Sequence, residues 1–460
     1  MLRRCFLKSL AAAPAAGLIH VPLAFTSEAI AQQQKKGGMA QADPFKPEEA
    51  NNPLGVGKGI HPGRVAWVRD ASATTWDGAT GHWWDDAYTN EKAVRSMTTK
   101  VLLNLTGSKN EKQAWDALFR DFNNTHKLGS GGYRHGETIA IKVNCNQDRA
   151  PEWGGPPPAD RQFPRGPLNG LPSPQAVESL VAELIEKGGV RGEDIMIYDV
   201  ANTRNVGNPI STRIRANSHP QFKAVRFLVG EDYKLGGRMS PTPDMANPIK
   251  FGKAGVPTAY LPKQLTEAKY VINMALMRPH GLAGVTLTGK NHFGSVYFPN
   301  DGGWTPSPLH GNILRTLPMG SYNALVDLTG HRHLGGKTML FVLDGLYSAA
   351  HNEANVIKFA SFGNHWASSI LMSQDPVALD SVGLDILRNE PNAVEVRGHV
   401  DNYLHEEAQA AKPPSGTVYN PDGGGVLASL GVHEHWNNAT ERKYARNLGK
   451  KEGIELIASV

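Results

Sequence analysis

The order strand, helix, strand between residues 138 and 198 constrains the fold more than any other feature of the sequence. The run TIAIKVNCN (Thr138–Asn146) is apolar and β-favouring, and a second apolar run covers Ile195–Tyr198. Between them, Ser173-Pro174 provides an N-cap hydroxyl and a proline for the first turn of a helix. This order predicts a βαβ unit with a right-handed crossover, and therefore a parallel sheet.

Later parts of the chain repeat the pattern. Apolar runs bounded by turn residues predict further strands at Val225–Val229, Tyr270–Met274, Thr338–Leu343 and Ser368–Met372. Two stretches, Pro151–Pro174 and Tyr297–Tyr322, contain too much proline and glycine for central elements. We therefore expect an α/β fold, with a mainly parallel sheet flanked by helices and interrupted by long Pro/Gly-rich insertions.

The N-terminal segment has the pattern of a twin-arginine export signal. Arg3 and Arg4 precede Phe-Leu-Lys, an Ala-rich apolar stretch follows, and Ala29 and Ala31 supply the small residues of a cleavage site. The alternative is a membrane anchor, but the apolar run is short and rich in alanine and proline. We expect recognition by the twin-arginine machinery, cleavage after Ala31, no stable membrane span after cleavage, and a periplasmic or secreted protein.

Composition narrows the domain organisation and the possible partners. Residues 32–59 are rich in Gln, Lys, Gly and Pro and predict a flexible linker, which leaves 60–460 as a single large α/β domain. The formal charge is +5, and the signal carries three basic residues and one acidic residue, so +3 remains after cleavage. With no basic block, nucleic acid is not an expected partner. Cys145 would be the one remaining thiol, which excludes an iron–sulfur cluster held by cysteines.

Polar residues recur where the predicted strands end. The carboxyl ends of parallel strands meet along one edge of a sheet, so these side chains could border one ligand crevice, with Lys142 as an anion contact. Each also has a structural explanation, because Asp and Asn are common in turns and N-caps, and Asp375 before Pro376 suits capping equally well. The candidate ligand-binding residues are Lys142, Asn144, Asp199, Asn273, Asp344 and Asp375.

The stretch Tyr270–Val296 is the strongest candidate for a functional site. Its apolar strand stops at Met277-Arg278-Pro279-His280, and a glycine-punctuated segment then leads to Lys290-Asn291-His292. The candidate catalytic residues are His280, Lys290 and Asn291, because several polar groups converge here between apolar flanks. His280 and His292 are candidate ligands for a divalent metal of unknown identity. The alternative is a connection whose Lys and His side chains face water.

Several short motifs occur between residues 139 and 410: Ile141–Asn144, Ser173-Pro174 with its helix and Asp199, Val271–Asn273, Thr286–Asn291 with Phe293-Gly294, Val342–Gly345 and Asp375–Asp380. Together these motifs resemble the domain-of-unknown-function family numbered 362. Family members often have Lys-x-His where this chain has Arg278-Pro279-His280. The resemblance implies the α/β core, but it names no reaction.

A second, local resemblance is mechanistic. Pro279-His280-x₃-Gly284-x₅-Lys290 is similar to a segment of the nickel-pincer lactate racemase family, in which a histidine performs acid/base work and a lysine tethers the cofactor. The resemblance implies that His280 moves a hydroxyl proton and that Lys290 holds a hydride-accepting cofactor. This chain lacks the Ser-Gly-Gly of that motif.

These patterns favour a cofactor- or metal-dependent enzyme that acts on a small polar molecule, a hydroxy acid or a sugar, at the carboxyl ends of the strands. Any cofactor would be a divalent metal or a preloaded organic or metal cofactor. Two alternatives stay open: a non-catalytic periplasmic protein for metal or anion binding or for maturation, and a metal-dependent hydrolase of phosphate or sulfate esters. Substrate, reaction and oligomeric state are open at this point.

Overall fold

The computed structural model describes residues 50–145, 171–201, 208–229, 238–352 and 355–460. The predicted export signal and most of the linker, 32–59, lie outside these ranges, as does most of Pro151–Pro174. The last linker residues are described, and there Leu54–Gly55 pairs with Val432–His433. Among the described helices, none is long and apolar enough to cross a membrane.

Thirteen strands occur in the described ranges, and nine of them form the central sheet. Their bounds are β1 Leu54–Gly55, β2 Arg64–Arg69, β3 Ile139–Lys142, β4 Ile195–Asp199, β5 Arg226–Val229, β6 Arg238–Met239, β7 Tyr270–Leu276, β8 Arg278–His280, β9 Gly284–Thr286, β10 Thr338–Gly345, β11 Ser369–Ser373, β12 Val432–His433 and β13 Glu455–Ser459. The sheet has the order β13-β2-β11-β10-β7-β3-β4-β5-β6. The α/β prediction is confirmed.

Nine α-helices accompany these strands within the described ranges. Their bounds are α1 Glu91–Thr106, α2 Glu111–Thr125, α3 Pro174–Ala182, α4 Asn208–Ala216, α5 Lys263–Glu267, α6 Thr288–Asn291, α7 Ala324–Gly330, α8 Pro376–Arg388 and α9 Asn402–Ala408. The predicted βαβ unit is β3-α3-β4, in which β3 and β4 pair in parallel. Ser173 caps α3 by accepting a hydrogen bond from the Ala176 N–H, as its position before proline predicts.

The sheet separates two apolar cores, because successive side chains of a strand point to opposite faces. In β3, Ile139 and Ile141 pack into one core and Ala140 into the other. Helices α1, α2 and α3 cover the first face, whereas α7, α8 and α9 cover the second. Such burial on both faces explains why the strands are continuously apolar rather than alternating.

One strand of the central sheet runs against the others. Strand β11 pairs antiparallel with both β10 and β2, while the remaining pairings in the sheet are parallel. The carboxyl end of β11 therefore lies at the edge where the other strands begin. The expectation that Asp375 shares an edge with the other strand-end residues is wrong for this reason.

Asp375 instead accepts hydrogen bonds from three backbone segments, which are the start of α8, the segment at Lys58 and strand β12. It is fully buried, and its Oδ1 accepts the Ala378 N–H at 2.9 Å as the N-cap of α8. Its Oδ2 accepts the N–H groups of Lys58 at 2.9 Å and Val432 at 3.2 Å. The capping role, one of the two possibilities that the sequence left open, is the observed one.

We predict that Asp375→Asn destabilises the protein by about 2 kcal/mol, because an amide cannot accept hydrogen bonds at both positions and leaves a buried donor unsatisfied. Urea unfolding at pH 8 measures this, since burial raises the pKa of Asp375 to about 7 and the carboxylate is ionised there. The matched control is Asp116→Asn, which removes an exposed pair with Arg120 and should cost less than about 1 kcal/mol. Equal stability of D375N and D116N would contradict the capping role.

Candidate functional site

Lys142, Asp199 and Asn273 lie side by side where β3, β4 and β7 end. Asn273 is opposite Lys142 in the parallel register, and Asp199 ends the strand on the other side of β3. Lys142 is 1% exposed, and Asp199 and Asn273 are 0% exposed. The structure brings these three strand-end residues together, in the interior of the protein rather than in an open crevice.

The ammonium group of Lys142 is surrounded by oxygen atoms. It lies 3.5 Å from Asp199 Oδ1, donates to Asn291 Oδ1 at 3.2 Å and to the Val143 carbonyl at 2.5 Å. Asp199 Oδ2 in turn accepts the Cys145 N–H at 2.8 Å. A buried ammonium needs this compensation, because losing its water costs several kcal/mol.

Asn291 and His292 join Lys142 and Asn273 in one hydrogen-bonded cluster at the ends of these strands. Asn291 Nδ2 donates to Asn273 Oδ1 at 2.7 Å, and Asn273 Nδ2 donates to His292 Nε2 at 3.1 Å. His292 therefore carries its proton on Nδ1, and burial together with the Lys142 charge lowers its pKa to about 3. We call Lys142, Asp199, Asn273, Asn291 and His292 the strand-tip network.

The short helix α6 holds Lys290 and Asn291, and Asp380 anchors the start of that helix. The Asp380 carboxylate accepts the N–H groups of Thr288 and Gly289, both at 2.9 Å, and the Thr288 hydroxyl at 2.6 Å. Asp380 belongs to α8 and is 1% exposed. The sequence signal for this role was a carboxylate within a mostly apolar helix, at a position that is not a strand end.

The backbone beyond α6 passes very close to the Lys142–Asp199 pair. At Gly294 a Cβ atom would lie 2.4 Å from Asp199 Oδ1 and 2.5 Å from Lys142 Nζ. The Gly294 carbonyl also accepts the Val200 N–H at 3.1 Å. Only glycine leaves room for both the ion pair and this backbone contact, which gives a physical reason for the Phe293-Gly294 motif.

His280 lies on a β-hairpin in the stretch that the sequence showed only as a glycine-punctuated segment. Strands β8 and β9 pair antiparallel, with His280 opposite Gly284. Gly284 has φ +84°, and a Cβ there would lie 2.4 Å from Val400 Cγ2. The hairpin returns the chain toward α6, so that His280 and Lys290 belong to adjoining segments.

The hydrogen bonds of His280 determine its tautomer. Its Nδ1 accepts the N–H groups of Leu282 at 3.1 Å and Ala283 at 3.3 Å, which leaves the proton on Nε2. Burial and the neighbouring charge of Lys290 lower the pKa of His280 well below 6.5, with smaller contributions from His310, Arg278 and His351. His280 is therefore a neutral hydrogen-bond donor in a positively charged environment.

Lys290 is the accessible member of this group. It is partly exposed, and its Nζ lies 4.4 Å from the Phe293 ring centroid. It lines a small pocket together with hairpin residues Ala283 and Val285 and with His399 and Tyr403. The pocket has a volume of about 10 Å³, and His280 is not among the residues that line it. We call His280 and Lys290 the His280 site.

Arg278 in β8 and Asp344 near the end of β10 are both buried and carry opposite charges. Asp344 accepts the N–H groups of Ser173 at 2.7 Å and Leu346 at 3.1 Å. Burial raises the pKa of Asp344 to about 6 and lowers that of Arg278 to about 10. Asp344 thus anchors the start of α3, and Asn144, which is 8% exposed, lies just beyond Lys142 at the end of β3.

The residues that the structure groups as potential metal ligands differ from the two candidates taken from the sequence, His280 and His292. Among the described residues, one set of three could hold an ion: Asp401, His433 and His435. His280 and His292 belong to no such set in the described part of the chain. The missed signal was His433-x-His435 in an extended segment, where alternate side chains share one side.

Comparison with known families supports one of the two resemblances. A family model described as Domain of unknown function (DUF362) matches residues 164–385, just under half of the chain. The match includes Asn273, the His280 site and Asp380, but it excludes Lys142 and the Asp401 set. It is shorter than the expected 139–410. A search of curated proteins finds no match.

We predict that His292 makes stability depend on pH. Its folded pKa of about 3 lies below the ordinary 6.5, so its contribution is present above pH 6.5 and is lost as the pH falls toward 3. Between pH 7 and pH 5 the free energy of unfolding should fall by about 2 kcal/mol more in wild type than in His292→Gln. Urea unfolding at both pH values measures this, with exposed His365→Gln as control. The same pH dependence in H292Q and wild type would show that His292 is not buried neutral.

Proposed function

We propose that this protein is an exported enzyme that acts on a small hydroxy acid at the His280 site. The observation that carries the proposal is the state of His280: a buried, neutral imidazole with its proton on Nε2, close to cationic Lys290 and Arg278. A site with positive charge and a neutral donor suits a substrate that has both a carboxylate and a hydroxyl or carbonyl oxygen.

The residues have separate roles in this proposal. Lys290 binds the substrate carboxylate, and the Nε2–H of His280 donates to the substrate's other oxygen. The Nδ1 atom of His280 is occupied by two N–H donors, which favours this donor role over the proton-abstracting role that the racemase resemblance implies. The strand-tip network orients Asn291, and through α6 it orients Lys290.

The specific test is binding of hydroxy acids to the mature chain. Lactate, glycerate and malate should each raise the melting temperature by about 3 °C at 100 times their Kd, while glucose and galactose should not. Lys290→Met should weaken hydroxy acid binding by roughly 10- to 100-fold, because one charge-assisted hydrogen bond is lost. Isothermal titration calorimetry measures the affinities.

The matched control is Lys263→Met, which removes an exposed lysine paired with Glu267 and should leave binding unchanged. Stabilisation by hydroxy acids that is equal in K290M and wild type would place the binding site elsewhere. Stabilisation by neutral sugars alone would contradict the substrate class.

The export part of the proposal rests on Arg3 and Arg4 and has its own test. Replacing both with lysine should keep the protein in the cytoplasm, because the pathway reads the arginine pair. Lys35→Arg with Lys36→Arg, a double change in the predicted linker, is the matched control. Cell fractionation and N-terminal sequencing measure the outcome, with Gln32 as the expected first residue. Unchanged export of the double-lysine variant would contradict a twin-arginine signal.

A further inference from the structure

Three histidines and an aspartate lie together where α9 begins and next to β12. One ligand atom each from Asp401, His433 and His435 lies within 4.8 Å of the other two, and His405 stacks edge-on against His433 with ring centroids 4.6 Å apart. All four residues are buried, with exposed fractions of 4% or less. None of them belongs to the His280 site.

The hydrogen bonds around His433 determine which of its nitrogens carries the proton. The Ser381 hydroxyl donates to the Val377 carbonyl at 2.7 Å, so its oxygen is an acceptor toward His433 Nδ1 at 2.8 Å. His433 therefore has its proton on Nδ1 and a lone pair on Nε2. Among the described residues this Nε2 has no hydrogen-bond partner, which is an uncommon state for a buried nitrogen.

His435 and His405 also have a hydrogen-bond acceptor at Nδ1. Nδ1 of His435 donates to Asp385 Oδ1 at 2.6 Å, and Nδ1 of His405 donates to the Asp401 carbonyl at 3.0 Å. A carboxylate or carbonyl bonded to the far nitrogen is the usual support for a metal-binding histidine, because it presents the other nitrogen to the metal. His435 Nε2 lies 3.5 Å from Asp401 Oδ2.

We propose that Asp401, His433 and His435 bind a divalent first-row transition metal, with His405 as a fourth ligand. Two imidazoles and a carboxylate are a donor set that zinc and iron accept. Tetrahedral ligands at 2.0–2.1 Å from zinc are about 3.3 Å apart, close to the 3.5 Å between His435 and Asp401. His405 also lines a surface pocket of about 630 Å³, which provides a path for the ion.

Arg388 offers the competing explanation for this cluster. Its guanidinium lies 3.3 Å from Asp401 Oδ2 and 3.4 Å from His435 Nε2. An ion-pair network of Arg388, His435 and Asp401 would account for the buried carboxylate without a metal. It would not account for His433, whose lone pair is oriented by Ser381 and has no donor among the described residues. A metal ion would neutralise the Asp401 carboxylate and would also bind the lone pair of His433 Nε2.

Zinc titration of the full chain without a histidine tag tests the proposal. Metal-stripped protein should bind one Zn²⁺ per chain, measured by calorimetry against a competing chelator. Asp401→Asn and His435→Gln should each weaken binding by at least about 100-fold, more than loss of a supporting residue costs. His333→Gln, a change in the chain's other His-x-His pair, is the matched control and should bind like wild type. No stoichiometric zinc, or equal binding in all variants, would overturn the proposal.

A second measurement does not depend on the folding of those variants. X-ray absorption of the zinc-loaded wild-type chain should show imidazole nitrogen and carboxylate oxygen at about 2.0–2.1 Å, whereas coordination by oxygen alone would overturn the assignment. Ser381→Ala tests the positioning role of the hydroxyl and should weaken zinc binding by about 10- to 100-fold. Unchanged affinity in S381A would contradict the argument from the tautomer of His433.

Discussion

A buried ammonium group at the end of β3 governs the architecture of the candidate site. Lys142 has its charge in the interior, where leaving water costs several kcal/mol unless oxygen atoms replace it. Asp199 supplies the opposite charge at 3.5 Å, and Asn291 supplies an amide oxygen at 3.2 Å. Removing Asp199 would leave an uncompensated charge, and removing Asn291 would take one acceptor from the ammonium. Three segments distant in sequence are therefore held at one place.

The buried ion pair also fixes the position of Lys290, which lines the pocket. Asn291 belongs to the four-residue helix α6, which is too short to be stable alone. It is fixed at its start by Asp380 and at its end by the strand-tip network. Lys290 lies between these two anchors, and the hairpin that carries His280 leads directly into them. The position of the partly exposed Lys290 is therefore set by two buried carboxylates, Asp199 and Asp380.

The parallel part of the fold could be predicted from sequence because its signals are local. Apolar runs and the Ser173-Pro174 cap identified β3, α3 and β4, and residues at the ends of parallel strands did converge. The direction of β11 could not be predicted, because an apolar run does not reveal which way its strand lies in the sheet. Because β11 is antiparallel to its neighbours, Asp375 lies at the opposite edge of the sheet, where it caps α8.

Burial and hydrogen bonding explain what else the sequence did not reveal. Lys142 and Asn273 were expected at a ligand, but tertiary packing encloses them completely. The tautomer of His280 depends on two backbone N–H groups in a hairpin that the sequence did not predict. The Asp401 set joins residues from two separate segments, and only their folded arrangement shows that the imidazole nitrogens face the same point.

The protonation state of His280 tests the central claim most directly. Nitrogen-15 NMR of histidine-labelled protein, with His280→Gln used to assign the signal, distinguishes the two neutral tautomers and the imidazolium. The structure predicts a neutral ring with its proton on Nε2 at both pH 7 and pH 6, and a shift of that nitrogen when a hydroxy acid binds. An imidazolium at pH 7, or a proton on Nδ1, would contradict the account of the site.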